Sequence, residues 1–295
     1  MNKYFIIAVV LLAACGGEPE KREHPVSEAE TTTGEKTETD SVQTIAEETD
    51  IDTSALLGYY VGDFVADELD EEKDPSYSNR INISVNSIKG NKVYGHSVVA
   101  GNKRSFEGDI TQKKGISLLV EVKEPGDDKY DGEFIFELNR FGAKGEWNAY
   151  DKKLAVTKRT YDLKPTAFAY SPATDTLTIT GTTLLSDKYY YVNFQGEVVN
   201  EEAAKFNASV AELKKEDVEN MSAGNLELMR NAIYARHGYS FKNRKMRYYF
   251  DKYEGWYIPV TTDVRKDLTA LEKKNIDLIK RYEEHAARYY DSFGR

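Results

Sequence analysis

One stretch of this chain concentrates residues that could do chemistry: Asn231-Ala232-Ile233-Tyr234-Ala235-Arg236-His237-Gly238-Tyr239-Ser240-Phe241. A guanidinium and an imidazole stand side by side there, and Tyr253, Trp256 and Tyr257 follow downstream. A guanidinium among aromatic rings suits a sugar or an acidic peptide. The same residues have a second use. In a helix that ends at Gly238, Arg236 and His237 fall three and four residues after Ile233, on its apolar face. There they would fix the docking of neighbouring helices, with Gly238 taking the left-handed turn past the helix end. A buried Arg requires carboxylates or carbonyls as partners, and Asp251, Asp263 and Glu272 are the candidates.

Other chemistry finds little footing. The four histidines, His24, His96, His237 and His285, share no metal-ligand spacing, and Cys15 is the one cysteine. There is no nucleophile elbow, phosphate loop or dinucleotide fingerprint. Glu133, Glu137 and Glu146 read as the solvated face of strands, and His96 as a strand residue. The expectation is a protein without metal or cofactor that is not an enzyme.

The chain opens Met1-Asn2-Lys3 and continues with an apolar run from Tyr4 to Ala14. Such a run is roughly 17 Å long as a helix, too short for a hydrocarbon core of about 30 Å. It reads as the core of a signal peptide over residues 1–14. Leu12-Ala13-Ala14-Cys15-Gly16 resembles the bacterial lipobox, which implies cleavage before Cys15 and lipid on its thiol. A lone thiol in an exported chain then has a use, and the membrane becomes a partner through that lipid. Gly16, where enteric bacteria use Asp to retain lipoproteins at the inner membrane, points to the outer membrane.

Residues 16–54 carry 12 acidic side chains against Lys21, Arg22 and Lys36, and no aromatics. That composition cannot bury enough apolar surface to order itself, so residues 15–54 read as a lipidated, disordered tether. It holds most of the formal net charge of −10. Residues 215–295, with 16 basic and 13 acidic side chains, are only mildly basic. Neither balance suits nucleic acid.

Residues 55–200 read as mainly antiparallel β-structure. Arg80–Asn86 alternates apolar and polar, the pattern of a half-buried strand, and Phe134, Phe136 and Leu138 share one face. Turn signals recur at Lys89–Lys92, Ala100–Lys103, Lys113–Gly115 and Pro125–Asp128. Aromatic–glycine pairs such as Tyr94-Gly95 and Gly145-Glu146-Trp147 mark places where a sheet curls. The expected result is an antiparallel β-barrel or curved β-sandwich, similar in pattern to small lipocalin-like barrels. Thr176–Gly181 and Tyr189–Phe194 are expected as strands that complete it.

Residues 201–295 turn helical, making the whole chain α+β. Leu226, Met229 and Ile233 form a stripe behind Ser222 or Asn225 as cap. A short helix covers Asn243 to Asp251, and a third opens at Thr269 with Glu272 completing a capping box. The full pentapeptide Tyr234–Gly238, then Tyr249-Phe250, Trp256–Pro259, Leu268, Glu272, Asn275-Ile276 and Leu278-Ile279, resembles the YARHG domain, a small bacterial extracellular module. The resemblance implies an exported protein and names no activity.

Two functions follow as expectations. The first is a non-enzymatic envelope binding module whose C-terminal domain engages peptidoglycan or an envelope protein. The second is a carrier of a small apolar ligand inside the β-domain, which requires room within the barrel.

Overall fold

The computed structural model describes residues 51–185, 197–291 and 294–295, within one compact unit, Glu48–Arg295. The expected leader, Cys15 and the expected tether up to residue 50 lie outside the described residues, as does the expected strand Tyr189–Phe194.

Eight strands run in sequence order: β1 (Gly58–Leu69), β2 (Ser78–Lys89), β3 (Lys92–Val99), β4 (Asn102–Lys114), β5 (Ser117–Lys123), β6 (Gly132–Asn139), β7 (Gly142–Ala149) and β8 (Val156–Thr166). Each is antiparallel to the next, and β8 returns to β1, so the sheet closes into a barrel. Of the two expected forms, the barrel is the one adopted. The turn signals fall at the β2–β3, β3–β4, β4–β5 and β5–β6 connections. Closure removes the exposed edges that an open meander would leave.

Period two sets the interior. Ile81, Ile83 and Val85, then Leu118, Val120 and Val122, then Phe134, Phe136 and Leu138 all point inward and are buried. Phe64, Phe106, Phe134, Phe136, Trp147 and Tyr161 interlock with ring centroids 5.8 to 6.4 Å apart. Each such ring stabilises the fold by roughly 1.5–3 kcal/mol through burial. The glycines do more than bend the sheet. A methyl group at Gly108 would lie 1.9 Å from the carbonyl oxygen of Glu121 on the next strand. Tight coiling of this barrel therefore requires a residue with no side chain there.

Arg80–Asn86 departs from the half-buried expectation. Its inward Ile81 and Ile83 are buried, but so are the outward Asn82 and Ser84. A C-terminal helix lies against β2, where outward-facing Arg80 bonds to its end.

Past the barrel, β9 (Thr183–Leu185) and β10 (Glu197–Val199) form a separate two-stranded sheet. Four helices follow: α1 (Lys215–Val218), α2 (Ala223–Arg236), α3 (Arg244–Tyr253) and α4 (Ala270–Tyr289). Of the two caps expected for α2, Ser222 is the one used, and the expected Thr269–Glu272 capping box opens α4; Asn243, expected as the first residue of the short helix, is instead its cap. The Leu226, Met229 and Ile233 stripe packs on Ile276 and Ile279 of α4. The opposite face of α2, with Leu228, Ala232 and Ala235, packs on Phe241, Met246, Tyr249, Phe250 and Tyr257. So α2 is a central helix, buried on two sides.

The segment after the barrel corrects an expectation. Thr176–Gly181 is no strand, and the region does not complete the barrel, which closes at Thr166. Its backbone is claimed by side chains instead: Thr178 N–H donates to Glu254 Oε1 at 2.8 Å, and Thr176 O accepts from Trp256 Nε1 at 2.8 Å. Ile179, Leu185 and Val199 join the α2–α3 core. A ladder is unavailable where the helices have already taken those groups.

Arg80 locks the barrel to the helices. Its guanidinium donates to the carbonyls of Asp251, Glu254 and Tyr257 at 2.6 to 2.8 Å, at the C-terminal end of α3. A cation is favoured at such an end, where carbonyls lack helical partners. Its backbone N–H donates to Asp251 Oδ2 at 2.8 Å. Burial pushes the Asp251 carboxyl up to about 7, against the pull of Arg80 and Arg247.

Candidate functional site

The Arg236–His237 pair faces inward. Arg236 is 3% and His237 8% exposed. Helix periodicity carries Arg236 onto the buried side of α2, and there its Nε donates to the Asp175 carbonyl at 2.7 Å and its Nη1 to Ser209 Oγ at 3.2 Å. His237 Nε2 lies 2.9 Å from Glu272 Oε2, and Tyr170 stacks on the imidazole at 4.2 Å while donating to Glu272 Oε1. Burial pushes the Glu272 carboxyl up. Hydrogen bonds from His237, the Thr269 backbone and Ser209 outweigh that and hold it at about 2.

Of the three expected partners, Glu272 belongs to this network through His237. Asp251 faces Arg80, and Asp263 pairs with Arg265. The actual partner of Arg236 is a carbonyl on the post-barrel segment, a contact across 61 residues that no local spacing reveals. Gly238 takes φ +73°, and a methyl group there would strike Val260 at 2.3 Å, so the turn needs glycine twice over.

The aromatic part of the expected binding surface is scattered. Tyr257 is buried, its hydroxyl on the Tyr239 carbonyl at 2.9 Å. Tyr253 is exposed on α3, edge-on to Tyr248. Trp256 is half-buried, 6.0 Å from the Arg236 guanidinium. The structure joins Arg236 with Trp256 and sets Tyr253 against Tyr248 and Tyr249.

A different constellation lies at one mouth of the barrel. Strand alternation continues past the aromatic core to a last inward ring that is polar: Asn79, Ser97, Arg104, Glu124 and Arg159. Pairing fixes each orientation, since Phe64 faces Asn79, Ile83 faces Ser97, Ser97 faces Arg104 and Trp147 faces Arg159. This ring opens into a cup of about 400 Å³, walled by Phe64, Phe134, Trp147, Leu154 and Val156. The cup is the room the barrel offers a ligand along this ring. It is within the size range of small-molecule sites.

Glu124 is the centre of that ring and is 5% exposed. Its Oε1 accepts from Ser97 Oγ at 2.9 Å, and its Oε2 from Gly132 N–H at 2.9 Å and Trp147 Nε1 at 3.3 Å. Burial pushes the carboxyl up to about 7, overriding those bonds and the nearby Arg104. Arg104 is held by Asp131 at 2.8 Å and Asp128 at 3.3 Å. Arg159 lies over the Phe64 ring and donates to the carbonyls of Phe64, Ser76 and Tyr77.

Reading carboxylates by their strand neighbours picks out Glu133, Glu137 and Glu146 as outward, and in the structure Glu146 pairs with Lys158 on the barrel's outside. Glu124 is missed because it follows the strand Ser117–Lys123 and precedes a turn. The signal was its parity: it stands two residues past inward Val122, as Asn79 and Arg159 stand two before Ile81 and Tyr161.

Among the described residues, no group of three His, Cys, Asp or Glu side chains gathers as a metal site, and no helix is long and apolar enough to cross a membrane. Residues 203–284 match the family described as the YARHG domain, so the C-terminal part of the chain carries that domain. No curated protein and no solved structure matches the chain.

Proposed function

We propose that this chain, a closed β-barrel joined to a YARHG domain, is a non-enzymatic binding module that takes a small, partly apolar ligand in the mouth of the barrel. The observation that carries this reading is the cup itself: a polar inward ring around a buried Glu124, set on an aromatic floor. A few convergent polar groups in an apolar concavity are the usual composition of a ligand site. The YARHG residues support the reading from the other side, because Arg236 and His237 are spent on internal bonds. In the same proposal the protein is exported, cut before Cys15 and lipid-anchored, with the outer membrane as its address and the acidic tether as its spacer.

The test is titration of the purified protein with N-phenyl-1-naphthylamine, a neutral fluorophore that brightens in apolar sites. Saturable brightening with quenching of Trp147 is expected, and Val99→Trp, which fills the cup from a partly exposed position, abolishes both. Unchanged binding in the folded Val99→Trp protein would end the reading.

A second reading has one observation in its favour. A groove of about 830 Å³ runs between the barrel wall, at Val61, Lys144 and Asp162, and the loop carrying Trp256. It suits an extended envelope polymer such as peptidoglycan, and pelleting of the full chain with insoluble cell wall, lost in Trp256→Ala, would favour it.

A further inference from the structure

The hydrogen-bonding state of the cup points to the class of ligand, an inference that rests on the barrel-mouth reading. Its cationic donors are engaged. Arg104 is bonded to Asp131 and Asp128, Arg159 to three carbonyls, and Arg247, which reaches the rim from α3, to Ser76 Oγ and the Lys242 carbonyl. Two acceptors beside them are incompletely bonded, one of them fully buried. Asn79 is 6% exposed, lines the cup, and its Oδ1 has no hydrogen-bond partner among the described residues. Such an atom costs stability unless something donates to it. Glu124 Oε1 has one protein donor, Ser97, and two lone pairs, so one remains for a ligand. An anionic head would have to compete for donors already in use. A hydroxyl would supply a single donor and no charge.

We propose that the cup binds an organic ammonium with an apolar body, its N–H groups on Glu124 Oε1 against the Asn79 amide wall and its body against Phe64, Phe134 and Trp147. An ammonium offers three donors and the positive charge that a buried carboxylate lacks in direct contact. The rings that line the floor also favour a cation near their faces. The charged and titratable groups around Glu124 and its cup are Arg104 on β4, Tyr130 and Asp131 before β6, Tyr150 after β7, whose hydroxyl donates to the Glu124 carbonyl at 3.1 Å, Arg159 on β8 and Arg247 on α3. The Glu124 carboxyl, raised to about 7 by burial, changes charge between pH 5.5 and 8. An ammonium that needs it ionised therefore binds more tightly as pH rises across that range.

The experiment is displacement of N-phenyl-1-naphthylamine from the full chain by three near-isosteres: 2-phenylethylamine, 2-phenylethanol and 3-phenylpropionate. The amine is expected to displace the probe at a concentration at least tenfold below that of the alcohol and the acid, and to weaken several-fold from pH 8 to 5.5. Glu124→Gln is expected to erase the amine's advantage while the probe still binds. Asn79→Leu, checked for native circular dichroism, is expected to reduce it several-fold and carries the test if Glu124→Gln does not fold. An acid or alcohol that matches the amine, or an amine preference that survives both substitutions, overturns the proposal and leaves the barrel-mouth reading standing. A probe that fails to bind at all overturns both.

Discussion

Replacing Glu272 with Gln is expected to destabilise the C-terminal fold by about 3 kcal/mol at pH 7, the largest effect we anticipate from any single polar substitution. The carboxylate is held at about 2, against 4.5 for a free Glu. Each unit of that difference corresponds to about 1.4 kcal/mol. The sign follows from linkage: a depressed carboxyl stabilises the folded state above its unfolded value of 4.5 and loses that contribution as pH falls toward about 2. Wild type and variant should therefore differ most in denaturant midpoint at pH 6 to 8, and converge below about pH 2.5. The residue is fully buried and bonded at once to His237, Tyr170 and the Thr269 backbone, so screening by solvent takes little from this figure. A gap unchanged down to pH 2 would mean that lost packing, and not the charge, carries the effect.

A fragment made of residues 203–295, the part that matches the YARHG family, is expected not to fold cooperatively, whereas residues 167–295 should. The shorter piece discards Ile179, Leu185 and Val199 from the α2–α3 core. It also discards the Asp175 carbonyl under Arg236, the Thr176 carbonyl on Trp256, the Thr178 N–H on Glu254 and the ring of Tyr170 on His237. Three buried aliphatic side chains at roughly 1.5–3 kcal/mol each already approach the whole stability of a small domain, about 5–15 kcal/mol. Circular dichroism melts of the two fragments decide the matter. A sharp transition in 203–295 would show that the upstream segment is an accessory and not part of the fold. The motif after which the domain is named is thus a clamp: Arg236 and His237 hold an upstream strap and the start of α4 against one central helix.

That clamp explains which features were legible in the sequence. The barrel could be read because its rules are local: alternation in Ile81–Val85 and Phe134–Leu138, and glycine turns at fixed intervals. Caps could be read for the same reason, since Ser222 and the Thr269–Glu272 box act within four residues. The inward turn of Arg236 and His237 followed from helix spacing alone. Of their partners, only Glu272 was among the candidates. Asp175, Ser209 and Tyr170 come from chain-distant segments, and distance in sequence leaves no periodic trace. Thr176–Gly181 misled because its β-branched composition is that of a strand, while tertiary contacts took its backbone groups. The polar ring of the barrel mouth was hidden in plain alternation. Asn79, Glu124 and Arg159 occupy inward positions where apolar residues are expected, and a polar residue at an inward position is the mark of a site.

The central claim is that ligand recognition sits at the barrel mouth and that the YARHG motif serves the fold. Hydrogen–deuterium exchange of the full chain, with and without saturating N-phenyl-1-naphthylamine, tests it most directly. The account predicts slowed exchange in the segments around residues 76–80, 97–104, 124–132 and 147–159, with residues 231–258 unchanged apart from the rim near Arg247. Protection confined to residues 231–258, with the barrel mouth unaffected, would contradict it and return the binding role to the motif.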